Sequence, residues 1–138
     1  MKIKKAIIED LDIASNLFDL YRQFYKQNSD LTAAKEFISE RINKNESEIF
    51  LAIDEEKNAG MGFVQLFPAF SSVSMKRLWI LNDLYVHGDY RKQGVGEALM
   101  KRAKELAVES NAKGLSLETH NLNVTAQSLY DKSGYIKD

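Results

Sequence analysis

Arg91-Lys92-Gln93-Gly94-Val95-Gly96 gathers two cations and two glycines in one short segment. It lies between a strand-like run, Leu81 to Val86, and an amphipathic helical pattern from about Gly94 to Ser110. The first amides of a helix have no partner within it, and the helix dipole adds partial positive charge at that end. Glycines let the backbone approach an oxygen with no Cβ in the way, and Arg91 and Lys92 add mobile positive charge. Together these make an anion site suited to a pyrophosphate. A P-loop is excluded, because Gly96 is followed by Glu97 and Ala98 rather than by Lys-Ser/Thr. A dinucleotide fingerprint would put Leu99 at its third small position and hinder close helix–strand packing. Taken alone, the same glycines also suffice to turn a strand into a helix.

Few other residues offer chemistry. Asn82 and Asp83 are adjacent polar residues in an otherwise apolar strand, so alternation predicts one on each face of a sheet, with at least one partly buried. His87 and His120 are the only histidines and stand apart from other catalytic types, which suits surface or core roles. No G-x-S-x-G elbow accompanies His120, so a serine-hydrolase triad is unsupported. The absence of cysteine excludes a disulfide framework, a thiolate metal site and a cysteine nucleophile, and no metal is expected.

The elements that must position these residues follow from the apolar pattern. Lys2 to Ile8 reads as a strand, and Asp10 can cap a helix with the stripe Ile13, Leu17, Leu20, Phe24. A second helix fits Thr32 to Asn43, with Phe37, Ile38 and Ile42 inward. Glu48 to Ile53 and Gly60 to Phe67 read as a hairpin, followed by a longer strand from about Arg77 to Val86. The helix from Gly94 buries Val95, Leu99, Leu106 and Ala107 and turns Lys101, Arg102, Lys104 and Glu105 outward. Leu115 to Thr119 is a strand, Asn123 or Thr125 opens a last helix, and Tyr135 begins a final strand. The order β-α-α-β-β-β-α-β-α-β predicts an α+β or mixed α/β layout, with helices packed on a central sheet. With 138 residues, 44% apolar and 28% charged, one domain over 1–138 with a single core is expected. A net charge of -1 gives no global pull toward nucleic acid or an anionic membrane, so neither partner is expected. Acidic residues interrupt the apolar run that a signal peptide would need after Lys5, and a cytoplasmic protein is the expectation.

Leu84-Tyr85-Val86, a charged turn, then Arg91-x-x-Gly94-x-Gly96 resembles the Q/R-x-x-G-x-G/A signature of the GNAT superfamily of N-acetyltransferases. Downstream, Asn123-Val-Thr-Ala126-Gln-Ser-Leu129-Tyr130-Asp-Lys-Ser-Gly134-Tyr135 is similar to that family's N-x-x-A-x-x-L-Y-x-x-x-G-F/Y block. The two motifs stand in the family's order at about its spacing, and the order of elements agrees over nearly the whole chain. Leu81-Asn82-Asp83-Leu84-Tyr85-Val86 looks most like the branch holding spermidine/spermine acetyltransferases. The resemblance implies a mostly antiparallel, splayed sheet flanked by helices, with acetyl-CoA as cosubstrate and an amine as acceptor. It implies that the backbone of Leu84, Tyr85 and Val86 pairs with the pantetheine arm. Amides from Gln93, Gly94, Val95, Gly96 and Glu97, with the side chains of Arg91 and Lys92, would then hold the pyrophosphate. Asn123 would bond the pantetheine or support the splayed strands, and Tyr130 would protonate the departing thiolate.

Direct attack on a thioester requires a neutral amine. An alkyl amine of pKa about 10.4 lies roughly three units above neutral pH, a cost of about 4 kcal/mol without a base or a dry pocket. A backbone donor at the developing oxyanion is worth on the order of 3 kcal/mol, so the two terms are comparable. Asp83 is the first candidate base, directly or through water, with a carboxylate bonded to a loop amide as the alternative; Glu118 on the neighbouring predicted strand is the second. Tyr21, Phe24, Tyr25, Gln65, Phe67, Phe70 and Asn82 are candidates for the acceptor pocket, where Asp83 would favour a cationic amine. An acetyl-CoA sensor without catalysis and a nucleotide-binding protein are the competing classes. The chain reaches only to Asp138, four residues past Gly134. The family's fuller final strand suggests either an unusually short protein or a sheet edge covered by a second copy, and a homodimer is expected.

Overall fold

The computed structural model describes residues 1–117 and 136–137. Six strands form one sheet in the order β1 to β6. They are β1 Lys2–Lys5, β2 Glu48–Asp54, β3 Ala59–Ser71, β4 Lys76–Val86, β5 Leu115–Leu117 and β6 Ile136–Lys137. The first four pair antiparallel; β5 runs parallel to β4, and β6 to β5. Helices α1 (Leu11–Phe24) and α2 (Leu31–Asn43) lie between β1 and β2, and α3 (Val95–Glu109) lies between β4 and β5. The mixed α+β, mostly antiparallel architecture is the expected one. The helix expected from Asn123 or Thr125 lies outside the described residues.

Each face of the sheet buries a separate apolar cluster. On one face Val95, Leu99, Met100 and Ala103 of α3 pack on Phe50, Val64, Leu66 and Leu81. The α3 pattern is therefore as the sequence implies, with Leu106 and Ala107 also buried. On the other face Leu17 and Tyr21 of α1 and Ile38 of α2 pack on Ile49, Leu51 and Phe63. Here α1 differs from expectation. Its buried stripe is Ala14, Leu17, Tyr21, while Phe24 is 44% exposed. Two apolar stripes run along this helix, and the small Ala14 lets the backbone come closer to the sheet. The approach is close at Gly60, where a Cβ would lie 2.8 Å from both Ile13 Cγ2 and Leu17 Cδ1. Asp10 does not cap α1 as expected; its carboxylate accepts the Ile7 amide at 2.9 Å and pairs with Lys4. With φ -92° and ψ 6°, Asp10 sits inside a short 3₁₀ turn and its side chain points back across that turn. β3 and β4 also run past their expected ends, forming a long hairpin closed at 72–75.

Asp19 fixes the connection between α1 and α2. This buried carboxylate accepts the Ser29 hydroxyl at 2.6 Å, the Asp30 amide at 2.8 Å and Gln23 Nε2 at 3.0 Å. The Asp30 carboxylate in turn caps α2 through the Ala33 amide. Foremost the Ser29 hydrogen bond, then the Asp30 and Gln23 bonds against a partial burial penalty, hold Asp19 below its ordinary value of 3.8. A depressed carboxylate stabilises the fold fully above its unfolded pKa, and that contribution is lost as pH falls through the folded value. Asp19→Asn should therefore lower the urea midpoint at pH 7, with the gap to the parent chain narrowing at pH 3. An equal gap at both values would show that charge at Asp19 contributes nothing.

At the far end of α3, Trp79 is buried and its indole N–H donates to Ser110 Oγ at 2.8 Å. Ser110 also donates to the Leu106 carbonyl, so one hydroxyl ties β4 to the last turn of the helix.

Candidate active site

The site begins with a break in the β3–β4 ladder. Gln65 faces Asp83 but Leu66 faces Leu81, which leaves Asn82 as the extra residue of a β-bulge. Before the bulge, Trp79 and Leu81 point to the α3 face; after it, Leu84 and Val86 do. The expected split of Asn82 and Asp83 to opposite faces is thus corrected. The bulge resets the alternation between them, and both line one cleft on the α1 side.

Asp83 is 6% exposed and held by amides. Gln65 Nε2 donates to its Oδ2 at 2.7 Å and Asn82 Nδ2 to its Oδ1 at 3.0 Å. Gln65, itself wholly buried, is turned the right way by Ser47, whose hydroxyl donates to Oε1 at 2.8 Å. A carboxylate has about four acceptor positions. Two are used here, so Asp83 keeps capacity for a donor arriving through the cleft.

The cleft has a volume of about 360 Å³. Phe18, Tyr21, Tyr25, Phe37 and Phe67 form its aromatic walls, with Arg22 and Gln27 at the α1–α2 connection. Burial, then the negative charge of Asp83, hold the Tyr25 phenol above its ordinary value of 10.0. Tyr25 therefore stays a proton-bearing donor across the neutral range.

On its β5 side, β4 is paired only as far as Leu81, opposite Leu117, among the described residues. The His87 amide donates to the Met61 carbonyl on β3. Backbone groups alternate in direction along a strand, so the amides of Leu84 and Val86 point away from β3, along an edge that no described strand pairs with. The edge leads into the glycine loop. A 3₁₀ turn at Gly88–Tyr90 is capped by His87 Nδ1, which accepts the Asp89 amide. Tyr90 donates to Asp54 Oδ2 at 3.0 Å, pinning the loop to the β2–β3 turn. Lys92 and Gly94 both take positive φ, 62° and 81°. Gly94 is the N-cap of α3, and a Cβ there would meet no protein atom within 4 Å. Its glycine serves the left-handed backbone and leaves open space in front of the helix. The first helical bond runs from the Ala98 amide to the Gly94 carbonyl, so the amides of Val95 and Gly96 have no intrahelical acceptor. Arg91 Nε donates to the Val86 carbonyl at 3.2 Å, and its guanidinium lies over Phe24.

The structure thus gathers Asn82, Asp83, Tyr25, Tyr21 and Phe67 around the cleft, and Arg91, Lys92, Gln93 and Gly94 around the exposed start of α3. Gln65 stands behind Asp83 rather than in the wall. Phe24 lies outside the cleft against Arg91, and Phe70 is 73% exposed on the long hairpin under Arg77. Glu118, His120, Asn123 and Tyr130 lie outside the described residues. Ser47, Phe18, Phe37, Arg22 and Gln27 were not anticipated. Phe18 extends the aromatic spacing of the candidates Tyr21 and Tyr25, a signal that would have found it. Among the described residues, no group of three or more His, Asp or Glu is placed to hold a metal ion, and no helix is long and apolar enough to cross a membrane.

Comparison with known proteins gives the family to which this fold belongs. The acetyltransferase (GNAT) family model matches residues 14–135. An uncharacterized N-acetyltransferase, YhfO of Bacillus subtilis, is 45% identical over the whole chain and 91% of its own length. A probable acetyltransferase of Haemophilus influenzae is 36% identical over 76% of this chain and 71% of its own. A crystal structure of a probable acetyltransferase superposes with TM-score 0.93 at 40% identity, covering all of this chain and 91% of that one. The chain belongs to the GNAT acetyltransferase family. It is an acetyl-transferring enzyme, of a family that uses acetyl-CoA as cosubstrate.

Proposed function

We propose that the enzyme transfers the acetyl group of acetyl-CoA to a primary amine by direct attack within a ternary complex. The observation that carries this reading is the bulge. It turns Asp83 into the cleft while the next residue, Leu84, presents its amide to the open edge. An anchor for the amine and a donor for the thioester carbonyl therefore adjoin on one strand.

The residues fit the cosubstrate. The β4 edge beyond Leu81, unpaired by any strand among the described residues, suits an extended amide-bearing arm, and the space before Gly94, the Val95 and Gly96 amides, Arg91 and Lys92 suit its pyrophosphate. When bound, acetyl-CoA supplies an activated acyl carbon and a thiolate leaving group. Asp83, directly or through water, takes one proton from the acceptor ammonium and passes it to solvent. The freed lone pair forms the N–C bond as the C–S bond breaks and its electron pair leaves on sulfur. Tyr130, which the second motif supports as the acid, gives sulfur a proton and recovers one from the acylated nitrogen. One proton is released per turnover.

The test is thiol release from acetyl-CoA across polyamines, amino acids, aminoglycosides and lysine peptides. Turnover of at least one amine is expected; CoA binding with no turnover of any would overturn the reading. Tyr130→Phe should lower kcat by about 10²-fold, the low end for a positioned acid, with CoA affinity nearly intact. A collapse of affinity would make Tyr130 a structural residue instead.

A further inference from the structure

The cleft pairs its buried carboxylate with a cation whose hydrogen-bonding capacity is little used. Arg22, in the last turn of α1, lines the same cleft as Asp83 and is half-buried. Among the described residues its only hydrogen bond goes to the Asn28 carbonyl, at a long 3.4 Å. Asp19, the nearest acid to influence it, already accepts three donors from its own connection and makes no ion pair with Arg22. A guanidinium carries five donors in a planar fork that matches a carboxylate. Asp19 attracts Arg22 only through space, so the guanidinium stands half-desolvated in the cleft wall with most of its donors free for a ligand anion.

We infer that the acceptor is an amino acid or a closely related aminocarboxylate, its ammonium at Asp83 and its carboxylate at Arg22. The inference rests on the amine-acetylating reading above and narrows it. The Asp83 carboxylate and the surrounding tyrosine and phenylalanine faces receive the ammonium, since aromatic faces attract cations. Tyr25, which keeps its proton, and Gln27 offer further donors to the carboxylate end. An aliphatic or aromatic spacer packs on Phe18, Phe37 and Phe67. A polyamine would meet Arg22 with a second positive charge, so like-charge repulsion disfavours it.

The test compares acceptors with and without the carboxylate, at a pH high enough that both amines of a pair are largely neutral. Phenylalanine, methionine, 4-aminobutanoate and lysine are assayed against their carboxamides by thiol release. The same pairs are assayed for thermal stabilisation of the CoA-bound enzyme. At least one carboxylate should exceed its amide by about 10- to 100-fold in kcat/KM, the range of a charge-assisted bidentate pair. Arg22→Gln should lower turnover of the carboxylates far more than that of their amides and so erase the ratio, and Arg22→Lys should restore part of it. A merely structural arginine would lower both members of each pair together. Equal rates and equal stabilisation for every pair in the parent enzyme would overturn the inference. So would an unchanged ratio in Arg22→Gln. The stabilisation assay separates the two readings: carboxylate-selective binding that depends on Arg22, with no turnover, sinks acetyl transfer to these amines but upholds the cleft's preference.

Discussion

Asp83→Asn lowers kcat by about 10²- to 10⁴-fold, the range for a positioned acid–base group, and leaves CoA affinity within about twofold. The asparagine fills the same volume, so the bulge and the cleft keep their shape. What disappears is the charge proposed to attract an ammonium and to take its proton. The replacement also presents an amide N–H₂ to one of two donors, Gln65 Nε2 or Asn82 Nδ2, where a carboxylate accepted both. One contact must therefore turn repulsive or open. Steady-state rates with isothermal titration of CoA decide the matter. If affinity falls as far as turnover, Asp83 shapes the β4 edge rather than serving the amine. Raising the assay pH supplies a control, because more acceptor is then already neutral and the deficit should shrink.

Gly62→Ala should be strongly disruptive. A Cβ there would lie 2.6 Å from the Tyr85 carbonyl oxygen, 3.2 Å from Val95 Cγ1 and 3.3 Å from Leu99 Cδ1. The first of these is backbone and cannot rotate away. Relief must displace β4 at Tyr85–Val86 or lift the first turn of α3, the two elements proposed to frame the cosubstrate. Overpacking of this kind costs roughly 3 kcal/mol, or on the order of 10 °C in Tm for a chain of this size. CoA affinity should fall as well. Gly60→Ala is the matched comparison. Its Cβ also comes within 2.8 Å of neighbours, but these are the side-chain ends of Ile13 and Leu17, which can shift. It should cost about 1 kcal/mol and leave CoA affinity unchanged. Equal losses in the two variants would contradict the distinction.

Much of this fold was readable from the chain because period and composition act locally. The α3 stripe, the β2–β3 turn and the glycine loop each follow from residues close in sequence. Two misreadings have a common cause in tertiary geometry. Strand alternation assigns Asn82 and Asp83 to opposite faces only if the ladder is regular, and the bulge depends on how β3 aligns with β4. In α1 two apolar stripes compete, and the choice is made by how closely Ala14 and Gly60 let helix and sheet approach. Ser47, and the place of Gln65 behind Asp83 rather than in the pocket wall, were hidden for a similar reason. Their link to Asp83 joins β4, β3 and the segment before β2, and no spacing within any one of these announces it. Nothing in the sequence separates Arg22 from any cation near a helix C-terminus; tertiary packing alone puts it in the cleft wall.

The hydrogen bond from Trp79 to Ser110 has an optical consequence. Trp79 is the chain's single tryptophan, so its emission reports from one place. That place is the C-terminal end of α3, while the anion-binding end lies some 15 residues away, roughly 20 Å along the helix. Ligand arriving at Gly94 should hardly alter the indole's surroundings, whereas separation of α3 from the sheet floods them with water and shifts the emission to the red. Fluorescence can thus distinguish a variant that has lost its ligand from one that has lost its core.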